Sequence, residues 1–142
     1  MLTAEEIVRV RSSFDMVFAN ATDMTTAFYD RMFELAPEFR PMFPTDMSVQ
    51  KHEFISKLAV LVGSLDQTTG LLSGAEILGR NHQRYGVKPE HYPVVGGALL
   101  WTLERGLGEA WTPETAAAWT AAYGTLSGYM IAEAYGSAQA AE

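Results

Sequence analysis

The chain has 142 residues, 48% of them hydrophobic, with a formal net charge of −7 and no cysteine. A chain of this length makes one domain, which buries roughly 70% of its unfolded surface and has room for a core and a small enclosed group. The acidic balance argues against nucleic acid or an anionic membrane as partner, and the lack of cysteine excludes disulfides, thiolate ligation and iron–sulfur clusters.

Met1-Leu2-Thr3-Ala4-Glu5-Glu6 is acidic and is not followed by a long apolar run, so no signal peptide is expected. Runs such as Leu58 to Val62 and Ala98 to Trp101 are far too short to cross a bilayer. The expected location is the cytoplasm.

Helical periodicity dominates, and no stretch alternates as a strand would. Thr3 and Glu6 form a capping box for a first helix with Ile7, Val10, Phe14, Val17 and Phe18 on one face. A second helix carries Phe28, Tyr29, Met32 and Phe33, and Pro37, Pro41 and Pro44 then break the chain into an irregular corner around Phe43. Ser48 is placed to cap a third helix bearing Phe54, Leu58, Leu61 and Leu65. Asp66 to Gly74 reads as a loop, and the helix after it carries His82 and is closed by Gly86. Pro89 starts a helix running to about Leu107, and Thr112-Pro113-Glu114 starts the last one, with Trp119, Ala122, Tyr123, Leu126 and Met130 inward. The tail after about 136 reads as frayed. Residues 1–142 thus form a single all-α domain with steep helix crossings rather than an up-down bundle.

The chain has three histidines. His52, between Lys51 and Glu53, reads as a solvated surface residue, and His91 in the first turn of a helix reads as a surface or capping group. His82 shares an apolar side with Leu78 one turn earlier. It sits just before the tight corner from Gly86 to Pro89, where a ring nitrogen can be held beside a cavity and left free for a metal. A lone histidine of this kind is ordinarily a hydrogen-bonded structural residue, and Tyr29, Phe43 and Gln50 taken singly read as core aromatics and a surface amide. Their order and spacing relative to His82 decide otherwise.

His82, Gly86, Val87, Pro89, Glu90, His91, Tyr92, Val95 and Gly96 resemble the proximal region of flavohaemoglobins and related single-domain bacterial haemoglobins. Thr25-Thr26-Ala27-Phe28-Tyr29 is similar to the Thr-x-x-Phe-Tyr run on the second helix of that family, and Arg40-Pro41-Met42-Phe43 to its corner. Gln50 fits its distal glutamine, and Gln50 and Phe54, four apart, share a face. The resemblance runs from about Leu2 to Ala134. It implies a globin fold, six to eight helices around a haem pocket, with haem b (iron protoporphyrin IX) as cofactor. In that reading His82 is the proximal iron ligand, and Tyr29, Gln50 and Phe54 form the distal ligand-binding side. Phe28, Phe43, Leu78, Val87, Tyr92, Val95 and Tyr123 would contact the cofactor, and O2, CO and NO would be the gaseous ligands. No catalytic residue is assigned.

Two departures from the family pattern matter. Flavohaemoglobins place on the last helix a glutamate, braced by a tyrosine, that accepts a hydrogen bond from the proximal histidine. Tyr92 matches the brace, but the glutamate position falls on Ala134, and Glu133 lies one residue early, about 100° around the helix. If Glu133 does not turn inward, His82 would bond a backbone carbonyl such as that of Leu78, with a weaker push on an O–O bond. Secondly, no dinucleotide fingerprint or output module follows in the sequence, so turnover would need a separate reductase. The expected function is reversible oxygen binding for storage or delivery. The alternatives are a nitric oxide dioxygenase with an external electron donor and a cofactor-free helical interaction domain. The expected state is a monomer or weak homodimer.

Overall fold

Among the described residues six α-helices follow one another: α1 (Ala4–Phe18), α2 (Ala21–Leu35), α3 (Ser48–Gly63), α4 (Thr68–Arg84), α5 (Tyr92–Leu107) and α6 (Pro113–Ala141). Three 3-10 turns, Pro37–Met42, Pro89–His91 and Gly108–Ala110, form corners. The computed structural model describes the backbone of residues 2–18, 21–84 and 86–141 and the side chains of 2–18, 23–67, 69–83 and 86–132; no strand occurs among the described residues. The all-α expectation holds.

The first helix starts where the sequence places it. Thr3 N–H donates to Glu6 Oε1 at 2.8 Å, and Glu6 N–H to Thr3 Oγ1 at 3.1 Å, so two otherwise orphaned donors are satisfied reciprocally. Its inner face buries Val10, Val17 and Phe18 in one cluster with Phe28 and Met32 of α2, Leu103 of α5 and Trp119 of α6. Trp119 carries its indole N–H into this core, where Ser13 Oγ accepts it at 2.7 Å, which removes the desolvation cost of a buried donor. A smaller cluster of Ala75, Tyr92 and Met130, with Leu78, Val87 and Leu126 packed on it, surrounds the end of α4.

Three local expectations are corrected. Asp66 to Gly74 is not a loop: α4 begins at Thr68. Gly70 and Gly74 lie inside this helix, Leu71 and Ala75 are buried one turn apart, and a Cβ on Gly74 would lie 3.2 Å from Leu61 Cδ2. Close packing on α3 outweighs the helix penalty of about 1 kcal/mol per glycine. Ser48 does not cap α3 with its side chain. Its backbone N–H instead donates to Asp46 Oδ1 at 2.9 Å, a bond that holds the Asp46 carboxyl below its ordinary range. Pro89 starts a 3-10 turn rather than α5 itself, and the long helix begins at Tyr92 with Pro93 in its first turn, where no N–H is needed. Helical backbone in α6 extends to Ala141. No helix among the described residues is long and apolar enough to cross a membrane.

Candidate functional site

The end of α4 is fixed from two sides. Gly86 adopts φ +88°, and its N–H donates to Gln83 O at 3.0 Å while Val87 N–H donates to His82 O at 3.0 Å. This is a Schellman closure, which needs a left-handed residue that glycine adopts without strain. One turn before His82, a Cβ on Gly79 would lie 2.5 Å from Met130 O, so the bare glycine lets α4 press directly on the α6 backbone.

His82 is half-buried between these anchors, with Nδ1 2.6 Å from Leu78 O. A carbonyl only accepts, so Nδ1 carries the proton and Nε2 keeps its lone pair. This is the carbonyl partner that the sequence suggested. Burial pushes the imidazole below its ordinary range, and the Lys57 ammonium of α3 acts in the same direction against the Leu78 bond. The ring is therefore held neutral. Tyr92 lies beside it with ring centroids 6.3 Å apart, and Tyr123 O–H donates to Tyr92 O at 2.6 Å. A Cβ on Gly96 would meet the Tyr123 ring at 2.6 Å, which explains a glycine at that place in the motif. Val87 packs on the small cluster, whereas Val95 joins the main core. The Glu133 side chain lies outside the described residues.

A second group gathers on α2, the corner and α3. Tyr29 is 3% exposed, and its hydroxyl oxygen accepts Gln50 Nε2 at 3.1 Å. Phe43 and Phe54 stand edge-on to it at 5.7 and 5.6 Å, and Phe28 stacks flat on Phe54 at 4.5 Å. Burial pushes the Tyr29 phenol up to about 12, against the opposing effect of Gln50. It therefore remains a protonated donor throughout the neutral range. The structure brings Tyr29, Phe43, Gln50, Phe54 and Phe28 together, as expected.

The two groups are linked through α3. Gln50, Phe54 and Lys57 recur at i, i+4 and i+7, hence on one stripe of α3, and Lys57 is close enough to His82 to shift its titration. Among the described residues no three His, Cys, Asp or Glu side chains converge. A bare ion would lack ligands, whereas an iron already held by a macrocycle would need only one imidazole from the protein. The residues present fit haem: a neutral imidazole with a free Nε2, and an aromatic group that carries two polar side chains.

Sequence reasoning missed Arg40. Its guanidinium donates to Pro44 O at 2.9 Å, Thr45 O at 3.1 Å and Phe43 O at 3.4 Å, and lies 5.3 Å over the Phe33 ring. The fork thus holds the segment that presents Phe43. A lone basic residue between prolines was the available signal, and it does not say which carbonyls will be in reach.

Comparison with known proteins agrees with this geometry. The globin family model matches residues 26–130, and the chain belongs to the globin family. It is 34% identical over 134 residues to a flavohemoprotein of Rhodopirellula baltica, covering 92% of this chain and 33% of that protein. A flavohemoprotein of Bacillus subtilis is 31% identical, with 92% and 34% covered. The chain spans about one third of the length of the curated relatives it matches. A solved bacterial globin from Campylobacter jejuni superimposes with a TM-score of 0.82 at 26% identity, over 96% of this chain and 99% of that one. The fold is a globin fold, and membership of the family brings haem-based binding of diatomic gases.

Proposed function

We propose that this chain binds haem b through His82 Nε2 and takes up oxygen reversibly on the side of Tyr29 and Gln50, for storage or delivery, with carbon monoxide and nitric oxide as further ligands. Haem, when bound, supplies a ferrous iron with one coordination position open to a gas. The observation that carries the reading is the 2.6 Å contact between His82 Nδ1 and the Leu78 carbonyl. A neutral carbonyl draws the imidazole proton less than a carboxylate would. The ring is then the weaker electron donor, which suits reversible binding better than O–O cleavage.

On the opposite side Gln50 occupies the Tyr29 oxygen as an acceptor, so the phenol proton is directed at a ligand. Phe28, Phe43 and Phe54 exclude water from that proton, and a dry surround strengthens the hydrogen bond it makes. Oxygen, which gains negative charge on binding, benefits more than carbon monoxide.

A second reading, a nitric oxide dioxygenase supplied with electrons by a separate reductase, is favoured by the 31–34% identity to flavohemoproteins. The absorption spectrum of the purified protein, reduced and then exposed to carbon monoxide, tests the first claim beside His82→Ala. An intense Soret band that shifts with carbon monoxide and is lost or altered in the variant supports it. A colourless protein that refuses added haem overturns it. Catalytic loss of nitric oxide with a cellular reductase would select the second reading.

A further inference from the structure

We propose that Lys51 is a positioning residue for the distal donor pair: its ammonium, seated on Thr26, clamps the first turn of α3 to α2 and so keeps Gln50 on Tyr29. The proposal rests on the gas-binding reading above.

The first turn of α3 has few other anchors. Its N-cap residue Met47 makes no side-chain capping bond, the Asp46 carboxylate on Ser48 N–H is a local contact only, and the buried residues of the helix begin at Leu58. Val49 is 73% exposed. Two side-chain hydrogen bonds tie this turn to α2: Gln50 Nε2 to Tyr29 at 3.1 Å and Lys51 Nζ to Thr26 Oγ1 at 3.2 Å.

They run side by side. Gln50 and Lys51 are neighbours on α3, and Thr26 and Tyr29 are three apart on α2, which places them on adjacent turns of one helix surface. One bond alone would leave the turn free to pivot about it. Two bonds with separate anchor points remove that freedom. The amide-to-phenol bond joins neutral groups, whereas the ammonium bond is charge-assisted and stronger. Lys51 is half-buried. Among the described residues its ammonium enters none of the ion pairs, unlike Lys57, which reaches Glu53 at 3.5 Å.

The consequence for the ligand is indirect. While Gln50 donates to the Tyr29 oxygen, the phenol proton points into the pocket. When the turn swings away, that orientation is lost although no group touching the ligand has been removed.

The test compares Lys51→Met, which keeps the stem and removes the charge, with Thr26→Val, Lys51→Arg and Gln50→Leu. Oxygen and carbon monoxide dissociation are measured on the reduced protein. Lys51→Met and Thr26→Val should each release oxygen roughly three- to tenfold faster, with carbon monoxide changing less than about twofold and Lys51→Arg restoring the parent rate. In a Gln50→Leu background Lys51→Met should add nothing further, because the two act through one bond. Amide hydrogen exchange in the first turn of α3, read on the purified protein, should quicken in Lys51→Met.

Parent-like oxygen release in Lys51→Met and Thr26→Val, alongside faster release in Gln50→Leu, overturns the clamp and leaves the pocket reading intact. Equal acceleration of both gases, additive with Gln50→Leu, also overturns it, since that marks general loosening. If Gln50→Leu itself leaves oxygen release unchanged, the distal reading fails and the clamp fails with it.

Discussion

Gln50 Nε2 donates to the Tyr29 oxygen across 3.1 Å, joining residues 21 positions apart on two helices. Phe28, Phe43 and Phe54 pack around the Tyr29 ring; in the proposed reading they leave the phenol proton to a ligand.

Tyr29→Phe keeps the ring and its contacts with Phe28, Phe43 and Phe54 and removes one donor. Oxygen release should accelerate about fivefold or more, from a net contribution near 1 kcal/mol that grows in a dry pocket. Carbon monoxide release should change far less. Stopped-flow dissociation with both gases gives the answer, and an unchanged oxygen rate would sink the donor role.

Arg40→Met should loosen the corner carrying Phe43, because three carbonyls lose their donor and Phe33 loses its cation. The expected loss is about 1–2 kcal/mol of unfolding free energy, with faster haem transfer to an acceptor apoprotein. Lys at this position restores the charge but not the planar fork, and should recover only part of the loss. A parent-like transfer rate in Arg40→Met would show that the corner holds without it.

Gly79→Ala and Gly97→Ala form a matched pair on helix interiors. At Gly79 the added Cβ meets backbone at 2.5 Å, whereas at Gly97 nothing lies within 4 Å. Helix propensity alone would make both stabilising by up to about 1 kcal/mol. The expectation is a gain of that size for Gly97→Ala and a loss of about 1–3 kcal/mol for Gly79→Ala, as α4 is forced off α6. Chemical denaturation of the two variants decides; equal effects would refute the close crossing.

The alkaline limb of stability should report Tyr29. Its phenol is raised to about 12 by burial, against an unfolded value near 10. Between those values the folded chain binds more protons than the unfolded one, so stability is fully present below about pH 10 and is lost as pH rises through about 12. A shift of this size corresponds to about 2–3 kcal/mol. Tyr123 is raised in the same direction, chiefly by burial. Unfolding free energies measured across this range should fall less steeply in Tyr29→Phe than in the parent. Parallel curves would mean that the phenol titrates normally.

Much of this molecule is legible without coordinates because the signals are local. The capping box of Thr3 and Glu6, the left-handed closure at Gly86 and the proline corner before α3 each depend on residues within a turn or two, and each appears where the pattern puts it. The order of Tyr29, Phe43, Gln50 and His82 is also written in the chain, which made the family resemblance visible. Contacts between distant segments are different in kind. At Gly74 an added Cβ would come within 3.2 Å of Leu61, and at Gly79 Met130 O leaves no room for one; neither neighbour lies within reach of a local pattern. The choice of Leu78 O by His82, the hold of Arg40 on the corner and the meeting of Lys51 with Thr26 depend on how side chains settle once the helices have crossed. Sequence by itself determined which helices form and which residues they carry towards the pocket, since hydrogen bonding and periodicity act over a few residues. Only the tertiary structure decided which partners those residues found, since packing acts between segments that the chain keeps far apart.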